Sequence, residues 1–316
     1  MSSILLVLLG LVGLIVGSDV GVSAAHRLAR RLGISPLIIG LTLASIGTSL
    51  PEIATNVAAA ISGAGGVDAS GLAVGNIIGS NLSQITLLIG ITALISPLAV
   101  PAGTLRRDGG AMVAAMVAMF AVCLDGVVSS AEGWALIAAY VVYVGWLMVI
   151  ARRTHAMDHS AEAPADGSTW KDTAKALGGI AVVAVSADVM VTAGVTLAEG
   201  MGVDPSLVGL FVGLGTGIPE LVVAVRASMQ GVGEMGLGNL VGSNITDPLL
   251  SFGAGAIVHP VTVPDVALSF DFPWWFVATA AAMLMLRAHR DLDRREAVIL
   301  LLMFGLFSYQ RLFFFR

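Results

Sequence analysis

Two hexapeptides, GTSLPE (Gly47 to Glu52) and GTGIPE (Gly215 to Glu220), each set a hydroxyl, a proline and a carboxylate inside an apolar stretch. Each is followed by a second near-copy: GNIIGSNLSQ (Gly75 to Gln84) and GNLVGSNITD (Gly238 to Asp247). An ionised Glu in a bilayer is costly without a partner or a cation, which marks Glu52 and Glu220 as functional candidates. Proline lacks an N–H and clashes with the carbonyl one turn back, so the helix must break or kink there. Carbonyls freed by the break need partners, and a bound cation supplies one. With the hydroxyls of Thr48 and Ser49 and the Glu52 carboxylate they form a hard-oxygen donor set. Such a set suits Ca²⁺ or Na⁺ and not soft metals. Thr216 and Glu220 repeat the arrangement. Four residues after the motif serines Ser80 and Ser243 come Gln84 and Asp247, one turn on and on the same face. Asp247 is expected to line an ion pathway, with Gln84 as its neutral counterpart. Asn76, Asn81, Asn239 and Asn244 admit a second reading, hydrogen bonding between helices. Asp19 and Asp188 lie away from these clusters, and a structural hydrogen-bonding role is expected for them.

The elements that carry these residues belong in a membrane. The chain is 57% hydrophobic and 12% charged, with a mean hydropathy of +0.93. Its apolar runs reach the roughly 20 residues that span a bilayer as a helix, and a soluble chain could not hide that much apolar surface. The run from Ile4 to Val16 has no preceding Lys or Arg and no A-x-A-like cleavage site, so a retained first helix is expected. Cys123 stands alone, which excludes a disulfide framework or a Cys-based metal site. The net charge of −5 falls mostly in loops and points to no nucleic-acid partner. H-E-x-x-H is absent and the serines lack a plausible base, which argues against an intramembrane enzyme.

Apolar runs between polar breaks predict an all-α integral membrane protein of ten transmembrane helices. They lie near 3–25, 35–61, 69–97, 109–126, 131–151, 173–199, 205–229, 234–259, 268–286 and 295–314, with helices 2 and 7 kinked or broken. The polar segment 152–170 divides them into residues 1–151 and 171–316, five helices each. Arg27, Arg30, Arg31, Arg106, Arg107, Arg152, Arg153, Lys171, Lys175, Arg226, Arg287, Arg290, Arg294 and Arg295 all fall on one side. The opposite loops carry Asp68, Asp125, Glu132, Glu199, Asp204, Asp265 and Asp271. Positive charge marks the cytoplasmic side, so the linker is expected inside and both termini outside. An odd number of spans per half then inverts the second half relative to the first. The halves match further: GISPLIIG (Gly33 to Gly40) with GVDPSLVG (Gly202 to Gly209), Asp19 with Asp188, Gly90 with Gly253, Pro97 with Pro260 and Pro101 with Pro264. Inverted repeats with broken helices at mid-membrane are an architecture of secondary transporters.

Together the paired GTS-x-PE and GN-x-x-GSN motifs resemble the calcium/cation antiporter superfamily, specifically its prokaryotic sodium/calcium exchanger branch, over all ten spans. The resemblance implies that Glu52 and Glu220 are the shared carboxylates that hold Ca²⁺. It implies one flanking Na⁺ site at Thr48, Ser49 and Ser80, another at Thr216 and Ser243, and carbonyl donors at Ala44 and Gly213. Asp247 matches the family's acid on helix 8. It also implies that helices 1 and 6 slide against the other eight. The chain departs from the pattern at Gly217, where Ser is usual, and at Gln84, where Asn or Asp is usual. The expected activity is Ca²⁺/Na⁺ antiport by alternating access in a prokaryotic cell membrane, without a cofactor. H⁺ or K⁺ as the counter-ion, and an ion channel, are the competing readings.

Overall fold

The computed structural model describes residues 2–66, 69–95, 98–99, 103–157, 168–200, 215–289 and 291–314. Helix α1 is Ser2–Leu32. Helix α2 covers 36–64: Ser35 caps it by accepting from Ile38 N, and Pro36 occupies the first turn, where a missing N–H costs nothing. A π turn at Gly40–Ala44 follows, and at Ser49 (φ −79°, ψ 6°) the helix bends by 43° before Leu50–Ala64. The bend falls just before Pro51, as the sequence predicts. Helix α3 is Ser70–Ile95, α4 covers 105–123, α5 is Ser130–Met157 and α6 is Thr169–Gly200. Helix α7 is described from Ile218–Met229, α8 covers 233–258, α9 covers 267–289 and α10 is Arg294–Phe314. Six described helices are long and apolar enough to cross a bilayer, or seven if the bent α2 counts as one span.

Several boundaries differ from expectation. Helix α5 runs on through Arg152 and Arg153 to Met157, and α6 begins at Thr169, so both ends of the expected 152–170 linker are helical. Charge ends a membrane span without ending a helix, and Arg is a good helix former. The matched positions Pro97, Pro101 and Gly202 to Gly209 lie outside the described residues, as do the loop acid Asp68, Gly213 and the linker core 158–167.

Helices α3 and α8 share one plan. Helix α3 is built from Ser70–Ser83 (14 residues), a π turn Gln84–Leu88 (5) and Ile89–Ile95 (7). Helix α8 repeats it as Gly233–Thr246 (14), Asp247–Ser251 (5) and Phe252–Val258 (7). Helices α4 and α9 both open on a π turn, Leu105–Gly109 and Ala267–Asp271. Short strands tie the loops: β1 (Leu98–Ala99) pairs antiparallel with β4 (Asp291–Leu292), and β2 (Val127–Val128) with β3 (Val261–Thr262). The loop after α3 therefore meets the loop after α9, and the loop after α4 meets the loop after α8.

Buried side chains form two clusters. The larger spans α2–α5 and α7–α10, with Phe252, Phe272, Trp275 and Met116 fully enclosed. The smaller joins α1 and α6, with Leu14, Val22, Leu28, Ile180 and Val183, to one face of α2, α7 and α8. Glycine permits the close crossings. A Cβ at Gly179 would strike the backbone of Gly21 between α6 and α1, and one at Gly238 would strike Leu37 O between α8 and α2. Arg27 and Arg31 of α1 both bind Asp172 of α6, at 3.0 and 2.6 Å.

Candidate functional site

The helix breaks of α2 and α7 and the π turns of α3 and α8 converge in the core. Glu52 sits in the first turn after the α2 break, with Ser49 as its N-cap. Glu220 sits in the first turn of α7 with Gly217 as N-cap, at nearly the same dihedrals (φ −81°, ψ −2°). Asp247 opens the π turn of α8, where Pro248 removes one more backbone donor. All three carboxylates are fully buried and within Coulombic reach of one another.

The two halves reach across to each other's break. Ser80 Oγ of α3 lies 3.3 Å from Glu52 Oε1 and 3.5 Å from Thr216 Oγ1. Thr48 Oγ1 lies 3.1 Å from both Ala44 O and Asn239 Oδ1. Asn76 and Asn56 donate to the backbone carbonyl of Glu52, at 3.4 and 2.9 Å, and Asn239 approaches that of Glu220 at 3.5 Å. These contacts give Asn76 and Asn239 the interhelical role that was one of their two readings. Asn81 and Asn244 each donate back to their own helix and also across the α3–α8 crossing, to Asp247 and Gln84.

What remains is a surplus of acceptors. Ser49 Oγ, Glu52 Oε2, both carboxylate oxygens of Glu220, Ser243 Oγ, Asp247 Oδ1 and Ser251 Oγ are buried without a hydrogen-bond partner. Ser243 and Thr48 approach Glu220, and Ser49 and Ser251 approach Asp247, short of hydrogen-bond geometry. Buried polar atoms are normally paired, so orphaned oxygens from both halves at one place call for a cation. Among the described residues no three His, Cys, Asp or Glu side chains close on one point. The donor set is thus mixed carboxylate and hydroxyl, which suits a hard cation held loosely enough to leave.

Of the expected site residues, Thr48, Ser49, Glu52, Ser80, Gln84, Thr216, Glu220, Ser243 and Asp247 are brought together here, with the Ala44 carbonyl at the edge. Gly213 lies outside the described residues. Ser251 was not anticipated. Its signal was its place one turn after Asp247, which an ordinary helical spacing argument could have used. Asp19 lies elsewhere: it accepts from Arg226 Nη2 and from Gln230 Nε2 (3.1 Å), as expected of a structural acid. Asp188 is exposed on α6.

A family model described as sodium/calcium exchanger protein matches residues 2–149 and 173–313. A protein of Alkalimonas amylolytica named as an antiporter, CaxA, is 34% identical over 319 residues, covering 98% of this chain and 97% of its own. The sodium/calcium exchanger MaX1 of Methanosarcina acetivorans is 30% identical over 342 residues, covering 96% of each. Among solved structures, the sodium-calcium exchanger NCX_Mj superposes with a TM-score of 0.83 at 26% identity, over 97% of this chain and 98% of that one.

Proposed function

The chain belongs to the sodium/calcium exchanger protein family, and from that premise we propose that it exchanges Ca²⁺ for Na⁺ across a prokaryotic cell membrane by alternating access at the Glu52/Glu220 site. One observation carries this reading. Oxygens without partners, contributed by both halves, meet at two matched helix breaks in the core. Glu52 and Glu220 hold Ca²⁺ between them. Na⁺ competes at flanking positions, Thr48, Ser49 and Ser80 on one side and Thr216 and Ser243 on the other, with Asp247 on the pathway. The Ala44 carbonyl joins the donor set.

The ten helices form two inverted five-helix repeats, 1–151 and 171–316, with 152–170 as a cytoplasmic linker and both termini outside. The strand pairing supports the inversion. Loops after α3 and after α8 are equivalent in the repeat, yet the first pairs with the loop after α9, one membrane crossing away from the second. Helices α1 and α6, in close backbone contact at Gly21 and Gly179 and clamped by Asp172, are suited to move as one body against the other eight.

Reconstituted into vesicles, the protein should take up radiolabelled Ca²⁺ when an outward Na⁺ gradient is imposed, and not without a counter-ion. Uptake driven by K⁺ or H⁺ in place of Na⁺ would reassign the coupling ion. Ca²⁺ flux that needs no counter-ion would make the protein a channel. Protease added to right-side-out vesicles should leave 155–167 intact, and cleavage there would reverse the orientation.

A further inference from the structure

The hydrogen-bond directions at the α3–α8 crossing are fixed by elimination. Asp247 Oδ2 lies 3.2 Å from Asn81 Nδ2 and 3.1 Å from the Gln84 amide. An ionised carboxylate only accepts, so Gln84 must face it with its NH₂ group. That turns Gln84 Oε1 onto Asn244 Nδ2, 2.8 Å away. The chain Asn81–Asp247–Gln84–Asn244 is thus closed at both ends by donors, and it leaves one carboxylate oxygen over. Asp247 Oδ1 is buried without a partner, as are the nearby hydroxyls of Ser49 and Ser251.

We propose that Gln84 is a positioning residue and not an ion ligand: its amide clamps Asp247 Oδ2, so that Asp247 presents Oδ1 alone to the transported cation. The proposal rests on the antiporter reading above and deepens it. To coordinate an ion, Gln84 Oε1 would have to leave Asn244, and the NH₂ group would leave Asp247 with it. The extra methylene of Gln lets one side chain on α3 hold two partners on α8. A carboxylate free to rotate can offer Ca²⁺ both oxygens, whereas a clamped one offers a single oriented oxygen. Gln84 therefore biases Asp247 toward a monovalent ion and leaves Ca²⁺ to Glu52 and Glu220.

The test uses the full chain in vesicles, reading half-saturating Na⁺ and Ca²⁺ concentrations separately from maximal rate. Gln84→Met keeps the length and removes the donor. It should raise half-saturating Na⁺ about tenfold, the scale of a hydrogen bond to a charged group, with a smaller change for Ca²⁺. Gln84→Glu separates the two roles. A ligand would be improved by a carboxylate, whereas a clamp would be broken, because an oxygen would then face Oδ2. We expect Gln84→Glu to bind Na⁺ more weakly than Gln84→Met. Affinity in Gln84→Glu equal to or above that of the unmodified protein overturns the proposal, as does an unchanged Na⁺ curve in Gln84→Met. Should Gln84→Glu fail to insert, Gln84→Met decides alone. Failure of the antiporter reading is distinct, because the unmodified protein would then show no counter-ion-driven uptake.

Discussion

The two helix breaks share a backbone and differ in what they place on it. Ser49 and Gly217 cap the helices that carry Glu52 and Glu220 at dihedrals within a few degrees of each other. Yet Glu52 accepts from Ser80 at 3.3 Å, while Ser243, the counterpart of Ser80, makes no hydrogen bond and both Glu220 oxygens are left over. One turn beyond each motif serine the first half has a neutral amide, Gln84, and the second an acid, Asp247. Proline and glycine hold the fold symmetric and the side chains depart from it. The second half contributes two carboxylates and no cap hydroxyl, and the first half one carboxylate with a hydroxyl. Carboxylate charge is thus divided unequally between the halves, two to one, while each half supplies hydroxyls.

The largest effect should come from removing what the halves share. Glu52→Ala or Glu220→Ala should each abolish Ca²⁺ exchange in vesicles while the protein still inserts and stays monodisperse in detergent. Each supplies about half of the carboxylate charge facing a divalent ion, and a buried site cannot recruit bulk water in its place. Near-normal exchange in either variant would mean that Ca²⁺ is not shared between the halves.

Much of this was legible in the sequence because the decisive residues act locally. Pro51 and Pro219 announce the breaks wherever they fall in a helix, and a carboxylate in an apolar run stands out without knowledge of its neighbours. The π turns at Gln84–Leu88 and Asp247–Ser251 were not legible. They change the phase of a helix whose residue pattern stays helical, and only the ladder of hydrogen bonds reveals them. The amide chain through Gln84 was hidden for a different reason. A side chain's donors and acceptors are assigned by partners 160 and 163 residues away. Helix α5 outran its expected end because composition reports the bilayer edge and not the last helical turn.

A smaller effect sharpens the comparison at the cap positions. Gly217 has a negative φ that any L-residue adopts, so Gly217→Ser brings no backbone strain. It would give the second break the hydroxyl that Ser49 gives the first. One added oxygen ligand amounts to about 1 kcal/mol, or several-fold in affinity, and should act on Na⁺ more than on Ca²⁺. Na⁺-dependent Ca²⁺ flux titrated in Na⁺ measures it. An unchanged Na⁺ curve, or a response to pH in place of Na⁺, would favour another coupling ion.

The smallest effect concerns the acids of α1 and α6, which the sequence pairs and the structure treats differently. Asp19 takes an ion pair from Arg226 and a hydrogen bond from Gln230, and Ser23 on the next turn of α1 reaches Gln230 Oε1 at 3.2 Å. This ties α1 to the end of α7. In the first half Ala58 follows Glu52 at the distance at which Arg226 follows Glu220, so the repeat offers Asp188 no matching guanidinium. Asp188 is also exposed. The Asp19 side chain is 46% exposed and that of Arg226 25%, which puts the pair in the range of about 0.2–1 kcal/mol measured for solvent-accessible ion pairs. Thermal unfolding in detergent should therefore show a small drop in midpoint for Asp19→Asn, a matching drop for Arg226→Gln, and no further drop when the two are combined. Asp188→Asn should leave the midpoint in place. Equal losses for Asp19→Asn and Asp188→Asn would mean that α6 is tied down as α1 is, and that the asymmetry between the halves stops at the ion site.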